Sequence, residues 1–272
     1  MRPAPATPMS GSIFTRASAA LLMAAFALPA RATDTLLTLT PQPGAIWRII
    51  VDRPAAPIGS VILFAGGSGV LDLDERGGIG SAATNHLVRT RGSYAKAGYA
   101  TFVPDIPSDL KGKSGYRLSE TYAVDLALLV REARKVAGPV AVIGTSRGAL
   151  AVAAVLVKQA AVQPDAAVIS SGLLMVGRGG SAGAMGDWSR VRIPFLLLRH
   201  AQDACRVTPP SDADRFKSLL SGSPRVDIIT LTGGGPASPD ADKCAASHYH
   251  GFYGIDDKVV QTTADWLRAN MK

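Results

Sequence analysis

From Ala45 onward the chain alternates two kinds of stretch. Short runs dense in β-branched and large apolar residues, ended by Gly or Pro, predict strands; longer runs whose apolar residues recur every three or four positions predict amphipathic helices. The strand-like runs are AIWRIIVDRP (Ala45–Pro54), GSVILFAGGSG (Gly59–Gly69), YATFVPD (Tyr99–Asp105), PVAVIG (Pro139–Gly144), DAAVISSG (Asp165–Gly172), IPFLLLRHAQD (Ile193–Asp203) and RVDIITLTGGG (Arg225–Gly235). The helix-like runs are TNHLVRTRGSYAKAG (Thr84–Gly98), SETYAVDLALLVREARKVAG (Ser119–Gly138), ALAVAAVLVKQA (Ala149–Ala160), SDADRFKSLLSG (Ser211–Gly222) and DKVVQTTADWLRANM (Asp257–Met271). Ser119 stands where an N-cap hydroxyl is expected. Strands apolar on both faces and separated by helices need cover on both sides, which implies an α/β fold around a mostly parallel sheet.

No internal repeat and no linker rich in Pro, Gly and Ser divides the chain, so residues 33–272 are expected to form one domain. The longest stretch without periodicity, LLMVGRGGSAGAMGDWSRVR (Leu173–Arg192), is too short for a folded cap. The first 32 residues are set apart. The run ASAALLMAAFALP (Ala17–Pro29) follows Arg2 and Arg16 and is too short to span a bilayer comfortably. Small residues at Ala30 and Ala32 suit a signal peptidase. The expectation is a cleavable leader over 1–32, export from a bacterial cytoplasm to the periplasm or beyond, and a soluble mature chain beginning at Thr33.

Composition narrows the function. With 47% hydrophobic and 18% charged residues the chain can bury a large core. Removing the leader leaves 26 basic residues against 21 acidic, a formal charge of +5 in place of +8. The basic residues are scattered, with no zinc-finger spacing, basic helix or RNA-binding aromatic motif, so nucleic acid is not the expected partner. Cys205 and Cys244 are the only cysteines. An even count in an exported chain reads as one disulfide, whereas a cytosolic chain would keep two free thiols. Two cysteines without further ligands make a poor zinc site.

Candidate chemistry comes from two matches to G-x-S-x-G: GTSRG (Gly144–Gly148) and GGSAG (Gly179–Gly183). A nucleophile elbow needs a strand running straight into the pentapeptide and a helix leaving it. PVAVI precedes Gly144 and ALAVAAVLV follows Gly148. Gly179 has no strand before it. Ser146 is therefore the candidate nucleophile, and Ser181 is expected in a flexible loop.

A serine hydroxyl needs a base to remove its proton and an acid to orient that base. Of four histidines, His86 lies upstream in the first helix-like run and His200 lies inside a strand, where a packed or surface role is expected. His248 and His250 remain, in SHYHGFYGIDDKVV (Ser247–Val260), after the last strand, where ligands of parallel sheets bind. His250 is preferred because Gly251 and Phe252 follow it and the last helix begins soon after. Asp203, at the end of FLLLRHAQD, is the candidate acid, with Asp187 and Asp212 as alternatives; Asp203 could instead cap the next turn. The oxyanion needs backbone donors. The N–H of Arg147 is one, and Gly67, with Gly66 next to it, supplies another from FAGGSG (Phe64–Gly69). A phosphate-binding loop is the rival reading of these glycines, but neither G-K-[ST] nor G-x-G-x-x-G is present.

These features, AGGSG after an early strand, GTSRG at the elbow, RHAQD after a later strand and HGF before the last helix, resemble the α/β-hydrolase superfamily over nearly all of the chain after the leader. Within it the sequence looks like the small, cap-poor esterases and dienelactone hydrolases, with Ser146 where dienelactone hydrolases use cysteine. That departure removes a lactone as the default substrate. Ala65 stands where many members have histidine before the oxyanion glycines. The resemblance implies a doubly wound sheet of about eight strands with helices on both faces and no separate cap domain. It also implies ester, thioester or amide hydrolysis of a small acyl substrate without a cofactor or metal, through an acyl-enzyme on Ser146. A binding protein that keeps the fold without turnover, or a peptidase or acyltransferase using the same triad, are the alternatives. Under this resemblance a Cys205–Cys244 bridge would tie the loop carrying the acid to the loop carrying the base. Arg147 and Arg199 could favour anionic substrates or serve structural roles.

Overall fold

The structure, a computed structural model, describes residues 1–5, 34–175 and 180–272. The apolar run and cleavage point of the expected leader lie outside the described residues, as does Gly179 of the second serine pattern. Eight strands form one sheet: β1 (Asp34–Leu39), β2 (Trp47–Asp52), β3 (Ser60–Phe64), β4 (Ala100–Pro104), β5 (Val140–Thr145), β6 (Ala166–Ser170), β7 (Phe195–His200) and β8 (Val226–Leu231), in the order β1-β2-β4-β3-β5-β6-β7-β8. β1 and β2 pair antiparallel, as do β2 and β4; every other neighbouring pair is parallel.

Side-chain alternation divides the core between the two faces. Ile62, Phe64, Phe102, Val142, Ile169 and Leu197 join one cluster, which takes in the apolar sides of α3 (Glu120–Val136) and α4 (Ala149–Ala153) and Phe216 of α5 (Asp212–Lys217). Their neighbours Val61, Leu63, Val103, Ile143, Val168 and Leu196 face the other way, onto α1 (His86–Arg89), α2 (Arg91–Lys96) and α6 (Asp256–Asn270). Helices on both faces make the sheet doubly wound, as expected. Between β6 and β7 the described residues form only short 3-10 turns, Ala182–Ala184 and Trp188–Arg190. Among the described residues no helix is long and apolar enough to cross a membrane.

Ser119 caps α3 as predicted, its hydroxyl accepting the Tyr122 N–H at 3.2 Å. Three elements differ from expectation, one being the run Ala149–Ala160, which is α-helical only to Ala153 and continues as a π-helical turn over Ala154–Lys158. β1 escapes the pattern because it is a half-exposed edge strand whose leucines, Leu36, Leu37 and Leu39, do not alternate strictly with polar residues. The run Thr84–Gly98 is two short helices instead of one. Thr90 breaks it, with φ −92° and ψ 0°, while its hydroxyl donates back to the His86 carbonyl at 2.7 Å.

Candidate active site

β5 carries Thr145 to the sheet's carboxyl edge, and the chain then turns sharply at Ser146, whose φ is +52°. That left-handed angle costs a non-glycine residue of order 1–3 kcal/mol and persists only where the surroundings enforce it. A single 3-10 turn, Ser146–Gly148, leads into α4. The flanking glycines allow the close approach: a Cβ on Gly144 would lie 2.5 Å from the Gly148 carbonyl oxygen, and one on Gly148 would run into the Phe64 carbonyl of β3. The Leu173 N–H, donating to the Ser146 carbonyl at 3.0 Å, holds the turn from the far side.

Asp203 is the third residue after β7, in a turn closed by its own N–H donating to the His200 carbonyl at 3.1 Å. Its two carboxylate oxygens do different work. Oδ1 accepts the Cys205 N–H at 2.9 Å, the turn-capping role, while Oδ2 lies 3.0 Å from His250 Nδ1. Thr208 Oγ1 approaches the same Nδ1 at 3.2 Å. Both Asp203 and His250 are buried, and His250 Nε2 has no hydrogen-bond partner. Nδ1 is thus held on the carboxylate while Nε2 is buried and unpaired. Ser146 and His250 line one small cavity of about 40 Å³ together with Gly66, Gly67, Asn85 and His86.

The loop after β3 forms the facing wall. Among the described residues the amides of Gly66 and Gly67 donate to no acceptor, and Gly67 takes φ +58°. Their carbonyls are occupied, with Gly69 N–H donating to Gly66 O at 3.1 Å and Arg117 Nη1 to Gly67 O at 2.8 Å. Arg117 Nη2 donates to Ala65 O at 2.9 Å, so one guanidinium braces the loop from behind. Loop and elbow are in contact range, since a Cβ on Gly66 would lie 3.0 Å from Ser146 Cβ. Arg147 presents its side chain to solvent, and its amide directly follows Ser146.

The loop carrying His250 is held from several distant points. Arg89 of α1 donates to the Gly251 carbonyl at 2.7 Å and to Ala246 O at 3.1 Å. The same guanidinium grips both carboxylate oxygens of Asp256 at 2.9 and 2.8 Å. A disulfide joins Cys205 and Cys244, with Cα atoms 4.6 Å apart. A Cβ on Gly251 would collide with the Ala246 backbone, which explains glycine directly after His250. Phe252 is fully buried against His86 and His200, with ring centroids 5.3 and 6.0 Å away.

The remaining candidates fall elsewhere. His200 is packed, with Nε2 2.9 Å from Gly233 O and Nδ1 accepting the Gln202 N–H. His248 is buried but does not line the cavity with Ser146. Asp187 is exposed and caps the turn at Ser189, while Asp212 pairs with Arg215 on α5. Arg199 is engaged by Asp214, Thr230 and the Pro210 carbonyl, a structural role. Ser181 corrects the expectation of a flexible loop. It is 7% exposed with an ordinary φ of −132°, and the Ala182 N–H beside it bonds to Leu173 O. Sequence reasoning set His86 aside as an upstream helix residue and missed Asn85, Arg89, Thr208 and Arg117, because each acts across long stretches of chain and sits in no recognisable spacing. His86 is fully buried, and burial pushes its imidazole below the usual range; its Nδ1 lies 3.4 Å from Asp256 Oδ1. Among the described residues no group of three or more His, Cys, Asp or Glu side chains is arranged to hold a metal ion.

No protein-family model matches the chain, and no curated protein is significantly similar to it in sequence. Solved structures are similar in shape. A dienelactone hydrolase from Anabaena variabilis superposes with a TM-score of 0.61 at 16% identity, covering 89% of this chain and 100% of its own. An esterase from Pyrococcus furiosus gives 0.61 at 12% identity over 89% and 92%. Brefeldin A esterase, a bacterial homologue of human hormone-sensitive lipase, gives 0.57 at 17% identity over 87% and 76%. Strand order, doubly wound helices and these likenesses together identify the fold of this chain as that of the α/β-hydrolases.

Proposed function

We propose that this protein is a serine hydrolase that cleaves a carboxylic ester, or a related acyl bond, of a small substrate. One observation carries the reading: a serine strained to φ +52° at a strand–helix turn shares a cavity with a histidine whose other nitrogen is held 3.0 Å from a buried carboxylate. Ser146 Oγ attacks the acyl carbon as His250 Nε2 takes its proton. Asp203 keeps Nδ1 protonated and stabilises the imidazolium. The amides of Arg147 and of Gly67, with Gly66 beside it, receive the oxyanion. His250 then protonates the leaving alcohol, water enters as His250 removes its proton, and collapse of the second tetrahedral species frees the acid and Ser146. Hydrogen bonds between nucleophile and base commonly close only when substrate arrives, in keeping with the unpaired Nε2.

The small cavity at Ser146 and the lack of a cap among the described residues support short acyl groups. The apolar leader and the Cys205–Cys244 bridge support export to an oxidising compartment. A fluorophosphonate probe tests the reading. Labelling of the wild type should vanish in Ser146→Ala, with esterase activity down by about 10⁴-fold or more. A folded wild type inert to the probe and to p-nitrophenyl acetate would instead mark a binding protein on this fold.

A further inference from the structure

Beside the nucleophile lies a second, larger cavity of about 270 Å³, on the far side of the oxyanion loop. The two cavities are divided by consecutive residues: Gly67 and Ser146 line the first, Ser68 and Arg147 the second. Arg117, Lys113 and Arg147 all line the larger one, and none of its lining residues is acidic. Among the described residues no carboxylate pairs with any of these three cations.

Arg117 makes the arrangement costly. It is 4% exposed, its two Nη groups are spent on neutral carbonyls, and its Nε–H has no partner. The Tyr116 ring, its centroid 5.3 Å from Arg117 Cζ, and the two carbonyls offset part of the cost of burying this charge, but no anion completes the compensation. The buried acid on this side, Asp105, is already engaged. Lys111 lies 3.1 Å from it, and the amides of Leu71, Leu73 and Ile106 donate to its oxygens. The rest of the cavity wall includes the apolar side chains of Val70 and Leu150. Apolar walls with cations and no acid suit a short methylene chain ending in a carboxylate.

We infer that this cavity is a subsite for the carboxylate of an anionic ester, so that the substrate class is a monoester of a short dicarboxylic acid. This rests on the serine-hydrolase reading for its placement beside Ser146, though the anion site can be tested apart from turnover. Arg147 and Lys113, both solvent-facing, would meet the carboxylate, and Arg117 would supply the buried positive field that also holds the oxyanion loop.

The test has a kinetic and a binding arm. In the first, kcat/KM for mono-p-nitrophenyl glutarate is compared with that for its neutral methyl ester at fixed ionic strength. The wild type should favour the carboxylate at least tenfold, and the Lys113→Gln, Arg147→Gln double variant should lose most of that ratio. In the second, calorimetry with glutarate, neutral glutaramide and inorganic phosphate should find glutarate binding at least tenfold tighter than glutaramide, and tighter than phosphate. The double variant should lose this binding while keeping the wild-type melting temperature. Equal use of the two esters by an active enzyme, or glutarate binding no better than glutaramide, overturns the proposal. Tighter binding of phosphate overturns the carboxylate assignment. If fluorophosphonate labelling and ester turnover are both absent while selective glutarate binding persists, the hydrolase reading fails and the anion site stands. Should the double variant unfold, Lys113→Gln alone, on an exposed turn, must still lower the binding preference, and an unchanged preference counts against the proposal.

Discussion

The elbow at Ser146 and the loop at His250 sit on opposite sides of one cavity and are built in opposite ways. The elbow is made by five consecutive residues, Gly144 to Gly148, between a strand and a helix whose hydrogen bonds leave the turn little freedom. Backbone sterics at Gly144 and Gly148 set most of its geometry, with one added bond from the Leu173 N–H. The His250 loop has only one short 3-10 turn of its own, Tyr249–Gly251. Side chains remote in sequence hold it: Asp203, 47 residues away, Arg89, 162 residues from Gly251, and a disulfide spanning 39 residues. A nucleophile can therefore be placed by local sequence, whereas its base is placed by the completed fold. Single side-chain changes should leave the elbow intact and disturb the base.

The largest such effect is expected at the contact between the two carboxyl-edge loops. Asp203→Asn should cut kcat by about 10⁴-fold, because an amide can favour the wrong imidazole tautomer while still accepting the Cys205 N–H. Steady-state kinetics should find KM little changed, and urea melts should find the fold retained. Next in size is the disulfide. Replacing both Cys205 and Cys244 by Ser should lower unfolding free energy by about 3–4 kcal/mol, measured by denaturant titration, with a smaller loss of kcat from the loosened loop.

Arg89→Gln comes third. It removes the donors to Gly251 and Ala246 and the two-point grip on Asp256, so kcat should fall by about 10- to 100-fold with KM nearly constant. Arg89→Lys should restore little, since one ammonium cannot span carbonyls and carboxylate at once. If the comparison between elbow and loop is sound, fluorophosphonate labelling of Ser146 should slow in this variant in step with kcat and not vanish.

The smallest effect is acid sensitivity beneath the same loop. Burial depresses the His86 pKa in the folded protein, so below about pH 6.5 the unfolded chain binds the proton more readily and stability falls with pH. Asp256 adds a second, more acidic loss. Partial burial pushes its carboxyl up, but the adjacent His86 and the Arg89 guanidinium outweigh this and hold it at about 2, against 3.8 ordinarily. Its contribution is present above about pH 4 and disappears as pH falls through about 2. Thermal melts from pH 8 to 3 should show the first loss reduced in His86→Gln.

How much of the molecule was legible in its sequence follows the same division. Seven of the strands, the long capped helix α3 and the turn at Ser146 announce themselves through periodicity, capping and turn chemistry, all of which act within a few residues. β1 did not, because its leucines sit at positions 36, 37 and 39 in no strict alternation on a half-exposed edge strand. The break at Thr90 did not, because helical spacing continues through it and only a hydroxyl bonding back to His86 interrupts it. Among site residues, Ser146, Asp203 and His250 were selected by residue type, order and neighbouring elements. Asn85, Thr208, Arg89 and Arg117 had no such mark, since a packed arginine and a solvated one look alike in a sequence.

By itself, then, the sequence determined the α/β class, the elbow and the short list of candidate acids and bases, since these depend on hydrophobic period and backbone sterics close along the chain. Only the tertiary structure decided that Asp203 serves both its turn and His250, that His86 is buried beside the cavity, and that Arg117 joins Lys113 and Arg147 around an acid-free pocket. Those outcomes depend on which distant segments the sheet order brings together, and a contact between residues far apart in the chain leaves no local trace in either of them.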